Sequence, residues 1–256
     1  MNTYQYVKVV DEGETVSLVL NRPPLNVMNI AMMKEMNAAL NELKGHPRAK
    51  VLLIRGEGKA FSAGVDIADH TVDKVDEMMH EFHRIFELIH GFAIPTIAVV
   101  DGAALGGGCE VAIYCDMVVA SERAKFGQPE IKVGVFPPVA AAMFPRLIRR
   151  NRSLELLMNG ETLLATEAER IGLINKVFPV EGFTKHVNDF VGKFTAQSKV
   201  ILEMTKRAVD RGLYHPCMEA IGRAEELYMS KMMKTEDANE GLRAFMEKRK
   251  PVWKNK

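Results

Sequence analysis

The chain has 256 residues, 34 Lys plus Arg against 33 Asp plus Glu, 47% hydrophobic residues and 26% charged residues. This is the composition of an ordinary globular protein, and it excludes disordered, collagen-like and disulfide-scaffold classes. A near-zero net charge offers no global attraction to nucleic acid or an anionic membrane, so any anionic ligand must be held by local groups.

The cysteines Cys109, Cys115 and Cys217 are odd in number and widely spread, without a zinc-type spacing. They predict a reducing compartment and no metal. The N-terminal MNTYQYVKVVDEGE lacks a basic-then-apolar leader. With no apolar run of about 18 residues either, the expectation is a cytoplasmic protein with no membrane span.

In chain order, Tyr4–Val10 and Thr15–Leu20 predict a hairpin around the polar turn Asp11-Glu12-Gly13-Glu14. Asn29 is placed to cap a helix running to about Leu43, and Val51–Arg55 reads as a buried strand, so a β-α-β crossover is expected. From Val72 to His90 apolar residues recur at steps of three and four, the stripe of an amphipathic helix. Ile94–Val100 reads as a strand, Gly106–Tyr114 as a short helix and Asp116–Ala120 as another strand. Beyond Val139 the pattern is mainly helical: Ala140–Arg149, Ser153–Met158, Ala165–Ile171, Ser198–Arg211, His215–Met232 and Glu236–Lys248. The expectation is an α/β (α+β) fold, residues 1–195 forming the core with the site and residues 196–256 a helical C-terminal region.

Two segments join a strand exit to small residues and a helix start, Gly58–Ile67 and Gly102–Glu110. Small residues let a ligand approach the backbone, and N–H groups freed at such turns bind an anion or a developing oxyanion. Alone, the Gly-Gly-Gly turn reads equally well as a tight turn with close helix packing. GxGxxG and GxxxxGK[ST] are both absent, so dinucleotide binding and nucleotide hydrolysis lose support. Glu110, just after the glycines, and Glu130 stand in weakly charged surroundings, and apolar neighbours raise a carboxylate's proton affinity into the range useful for acid/base work. Either Glu by itself is more often a surface or capping carboxylate.

The segments AFSAGVDI (60–67), GAALGGGCEVAIYCD (102–116), AKFGQPEIKVGVFPP (124–138), NGETLLATEAERIGLINKVFP (159–179) and AFMEKRKPVW (244–253) together resemble the crotonase family, over essentially the whole chain and in the family's order. The resemblance implies ββα units around a spiral sheet, with a helical C-terminal region serving a trimer or a dimer of trimers. It implies an acyl-CoA thioester as substrate, with coenzyme A part of that substrate and no separate cofactor. By position, the N–H groups of Val65 and Gly107 would form an oxyanion hole and Glu110 and Glu130 an acid/base pair. Pro24, Leu25, Lys59, Ala63, Asp66 and Ile67 would flank coenzyme A. Lys248 would meet its phosphates from a neighbouring subunit, although a basic helix end is explained as well by the helix dipole.

After the second glutamate this chain reads Gly134-Val135-Phe136-Pro137-Pro138-Val139, where family hydratases usually carry a glycine-rich stretch. Pro137 and Val139 are thus expected to shape a stiffer acyl pocket. This segment, VDIADH (65–70) and the C-terminal motif most resemble the cyclohexa-1,5-diene-1-carbonyl-CoA hydratases of anaerobic benzoyl-CoA degradation. The implied product is 6-hydroxycyclohex-1-ene-1-carbonyl-CoA. His70 reads as a loop histidine that could also border the pocket. Alternatives are a general short-chain 2-enoyl-CoA hydratase or a Δ3,Δ2-enoyl-CoA isomerase, and outside catalysis a scaffold or RNA-binding member. The missing GxSxG elbow and basic stripe weigh against a serine hydrolase and RNA binding.

Overall fold

The computed structural model describes residues 3–256. The hairpin forms from β1 (Val7–Asp11) and β2 (Thr15–Leu20), antiparallel, with Val7 opposite Leu20. Its turn is closed by Gly13 at φ +82°, whose N–H donates to Asp11 Oδ1 at 2.8 Å. Asn29 caps α1 (Ile30–Leu43) by accepting the Met32 N–H at 2.9 Å, satisfying one of the donors that every helix start leaves open. The chain returns as β3 (Val51–Gly56), parallel to β2 as the crossover reading requires.

Beyond β3 the repeating unit is ββα. A three-residue strand β4 (Ala60–Ser62) precedes α2 (Val75–His90). The next unit is β5 (Thr96–Val100), β6 (Ala103–Leu105) and α3 (Gly107–Tyr114). In the third, β7 (Met117–Ser121) and β8 (Lys125–Gly127) lead through a short 3-10 turn, Pro129–Val133, into α4 (Pro138–Ile148). The long strands of these units join the hairpin in one sheet of order β1-β2-β3-β5-β7, and the short strands form a second sheet of order β4-β6-β8. The sequence pattern predicts the long strands and misses the short ones, because three residues are too few to show a period of two.

Corrections to the helical C-terminal reading are local. After α5 (Arg150–Asn159), the strands β9 (Thr162–Leu164) and β10 (Lys176–Phe178) flank α6 (Ala165–Arg170), and β10 pairs parallel with β7 at the edge of the main sheet. A helix α7 (Phe183–Thr195) occupies a stretch with no expected element. It packs Val187 and Val191 on Val51, Leu53, Ile97, Val99 and Val119, and so covers the second face of the main sheet. The opposite face, with Leu52, Ile54, Ala98, Val118 and Ala120, joins the main core. Burial on both faces explains why these strands read as continuous apolar runs rather than alternating ones.

The chain closes with α8 (Lys199–Gly212), α9 (Cys217–Ser230) and α10 (Glu236–Met246). Helix α2 starts three residues later than its stripe suggests, since Val72 is 97% exposed. Its buried Met78, Phe82, Ile85, Phe86, Leu88 and Ile89 pin it to the core, each such side chain contributing about 1.5–3 kcal/mol when withdrawn from water. Among the described residues no helix is long and apolar enough to cross a membrane.

Candidate active site

The ends of the short strands bring the two small-residue segments together. Gly106 leaves β6 at φ +52°, and its N–H donates to Gly127 O at 2.9 Å. A Cβ on Gly107 would lie 2.7 Å from Val65 Cγ2 and 3.0 Å from Phe82 Cζ, and one on Gly108 would strike the Ser62 backbone. Only glycines let α3 start this close to the loop that follows β4.

That closeness brings two backbone donors into one place. Gly107 opens α3, and the first N–H groups of a helix have no acceptor inside it. On the facing loop, Met28 N–H donates to Gly64 O at 2.8 Å and Asp66 N–H to Met28 O at 2.9 Å, so the residues either side of Val65 are tied down. Among the described residues, neither the Val65 nor the Gly107 N–H has a protein acceptor.

Glu110 lies one turn into α3 and is 2% exposed. Its Oε1 accepts the Ala140 N–H at 2.7 Å, at the N-terminal end of α4. Burial pushes its carboxyl up to about 7, the Ala140 and Val139 N–H groups pull the other way, and the charge of Glu130 adds to the rise. Glu130, on the 129–133 turn, is raised by burial and lowered in part by its own backbone N–H and by His70. Its carboxylate lies on Gly106, where a Cβ would come within 2.6 Å of Oε1. Two desolvated carboxylates with elevated proton affinity therefore share the neighbourhood of two open N–H donors, an arrangement that can stabilise charge on a carbonyl oxygen while moving protons nearby.

The candidate coenzyme A residues fall on two loops joined by a residue the sequence reading does not single out. Asn26 is fully buried, and its Nδ2 donates to Glu57 O, Ala60 O and Phe61 O at 3.0, 2.9 and 3.2 Å. Ala63 N–H donates to Leu25 O at 2.9 Å, which completes the join. Pro24, Leu25 and Lys59 are exposed beside it, while Ala63 is half-buried. Asp66 caps the short 67–69 turn, accepting the Ala68 N–H at 3.2 Å, and meets Arg22 at 3.5 Å; Ile67 is 70% exposed.

Pro137 is buried and Val139 half-buried at the start of α4, beside the N–H that Glu110 accepts. His70 is exposed, with Nδ1 2.9 Å from Asp66 O. Lys248 follows α10 at φ +54° and is exposed, and α10 itself packs on α8 and the 232–234 turn. Among the described residues no group of three His, Cys, Asp or Glu side chains could hold a metal ion. A cavity of about 570 Å³ lies far along the chain, lined by Glu236, Asp237, Glu240, Arg243, Arg249 and Lys254. Its charges largely satisfy one another, as in the Arg249–Glu240 pair.

Three ββα units closed by C-terminal helices around this site define a crotonase-fold enzyme. A match to the model of the enoyl-CoA hydratase/isomerase family over residues 12–256 shows that the chain belongs to that family. It is similar to a probable enoyl-CoA hydratase of Mycobacterium bovis, 37% identical over 254 residues, covering 97% of this chain and 98% of the relative. A cyclohexa-1,5-dienecarbonyl-CoA hydratase of Thauera aromatica is 32% identical over 247 residues, covering 96% and 95%. The crystal structure of an enoyl-CoA hydratase from Bacillus anthracis superposes with a TM-score of 0.93 at 28% identity, over 98% of this chain and 100% of that one. The chain is an enzyme of the hydro-lyase type.

Proposed function

We propose that the protein adds water to a double bond conjugated with a coenzyme A thioester, and that its substrate is cyclohexa-1,5-diene-1-carbonyl-CoA. The observation that carries the hydration reading is the pairing of Glu110 and Glu130 with the open Val65 and Gly107 N–H groups. In this reading the two N–H groups receive the thioester oxygen and stabilise it as enolate character develops. Glu110 orients a water molecule and takes its proton as the oxygen attacks the carbon β to the thioester. Glu130 delivers a proton to the α-carbon of a simple enoyl chain. For the ring diene, attack at the β-carbon gives an enolate extended over the second double bond, and Glu130 gives its proton to the distal carbon of that system, which leaves the remaining double bond conjugated and yields 6-hydroxycyclohex-1-ene-1-carbonyl-CoA. No metal or separate cofactor enters these steps.

The ring substrate is supported by Pro137 and Val139, which stand where Glu110 is anchored and stiffen that wall, and by the likeness to the Thauera aromatica hydratase. In the same proposal coenzyme A lies along Pro24, Leu25, Lys59, Ala63, Asp66 and Ile67. Residues 1–195 act as the catalytic core, and 196–256 as a region that joins copies into a trimer or dimer of trimers, Lys248 reaching a neighbour's coenzyme A phosphates. The exposed Met218, Ile221, Met229, Phe245 and Met246 of α9 and α10 support that role, since such apolar surface is usually covered.

A second reading, a general short-chain enoyl-CoA hydratase, is favoured by the higher identity to the mycobacterial relative, 37% against 32%. Product analysis and specificity constants with cyclohexa-1,5-diene-1-carbonyl-CoA and crotonyl-CoA separate them. A clear preference for the ring diene supports the first reading and a preference for crotonyl-CoA the second; turnover of neither removes the hydration reading.

A further inference from the structure

Glu130 has a fully buried polar neighbour two residues earlier in the chain. Gln128, between β8 and the 129–133 turn, is 1% exposed. One orientation of its side-chain amide satisfies both ends, and in it the nitrogen donates to Glu130 Oε2 at 3.1 Å and to Oε1 at 3.2 Å. The amide also meets the thiol of Cys109, which is wholly buried in the first turn of α3 and immediately precedes Glu110.

A primary amide is well suited to this place. It carries no charge to desolvate, yet it offers two N–H donors to a carboxylate and an oxygen to a thiol. Hydrogen bonds to a charged acceptor are stronger than neutral ones, and the low-polarity surroundings strengthen them further. Bonding to both carboxylate oxygens also restricts rotation of the group, which a lone backbone donor does not.

We infer that Gln128 is a positioning residue for the reaction: it clamps the Glu130 carboxylate in place over Gly106 and ties that clamp, through Cys109, to the helix that carries Glu110. The inference rests on the acid/base reading of Glu130 for its catalytic meaning, but the clamp itself is measurable without substrate. The other groups facing Glu130 are Glu110 and Cys109 from α3 and His70 from the turn after residues 67–69. Gln128 carries no titratable group, so its donors act at every pH in the working range.

The experiment is a carbon-13 NMR titration of the Glu130 carboxyl, assigned against Glu130→Gln, in the wild type and in Gln128→Met, which keeps the volume and removes both donors. Losing a charge-assisted bond of this kind raises the titration midpoint by about one unit or more. Gln128→Asn keeps the chemistry and withdraws the donor by one methylene; it folds with the least disturbance and shifts the midpoint in the same direction by less. In steady-state hydration kcat falls about ten-fold or more for Gln128→Met while KM stays within about two-fold, as removal of an interaction made in the transition state requires. An unmoved midpoint in both variants overturns the clamp. A moved midpoint with only KM changed overturns its role in positioning, and a moved midpoint in a protein that hydrates no thioester upholds the clamp while removing the hydration reading.

Discussion

Glu110 and Glu240 are the same side chain placed in opposite surroundings. Glu110 lies inside the core against apolar residues and one backbone donor at 2.7 Å, and its carboxyl is pushed up to about 7. Glu240, on α10, accepts from Arg249 and from the Val252 N–H, and its carboxyl is held down to about 2. The second arrangement fixes a charge and pins the C-terminal segment to its helix. The first leaves a group that can take or give a proton near neutral pH, and it does so beside two N–H groups without protein acceptors. In the proposed reading, reactivity is placed where pairing is incomplete, whereas the tail is held where pairing is full.

The largest test of that contrast is Glu110→Gln. Loss of a general acid/base group lowers kcat/KM for hydration by about 10²–10⁴-fold, measured by loss or gain of thioester conjugation in the ultraviolet. A variant with full activity would break the distinction between the two glutamates. Gly106→Ala probes the same site through space. Its Cβ would come within 2.6 Å of Glu130 Oε1 and add strain at φ +52°, so the carboxylate must move. A shift of that size lowers kcat by about 10²-fold, with a smaller change in melting temperature than in rate.

Stability against pH sharpens the comparison, because the two carboxylates act in opposite windows. The folded protein holds the Glu110 proton more tightly than the unfolded chain does. Its contribution is therefore full below about pH 4.5 and is lost as pH rises through about 7, amounting to about 3 kcal/mol at order-of-magnitude level. Urea denaturation at pH 5 and pH 8 should show Glu110→Gln gaining on the wild type at the higher pH. The contribution of Glu240 is present above about pH 4.5 and fades as pH falls towards 2. Since that pair is exposed to solvent screening, Glu240→Gln lowers the melting temperature at pH 7 by no more than about 2–4 °C.

The parts legible in the sequence were those whose signal is local or repeated. The Asn29 cap, the stripe of α2 and the apolar runs of β3 and β5 each belong to one segment, and the structure has them within a few residues. Asn26 and Gln128 carried no such signal. A polar residue in a loop looks the same whether it is solvated or whether its amide meets Glu57, Ala60 and Phe61 carbonyls, or the Glu130 carboxylate. Helix α7 was not among the expected elements, and its role in covering the second sheet face depends on strands more than 60 residues away.

By itself, the sequence determined the α/β character and the small-residue turns, because periodicity and residue type act over a few positions, while Glu110 and Glu130 stood out as candidate carboxylates only through the resemblance to the crotonase family. Tertiary structure decided that Met28 ties down the residues either side of Val65, that Gly107 reaches that loop, and that Glu110 is buried against Ala140 while Glu130 rests on Gly106. Those outcomes depend on desolvation and on which donors are left without acceptors, quantities that exist only once distant segments have packed together.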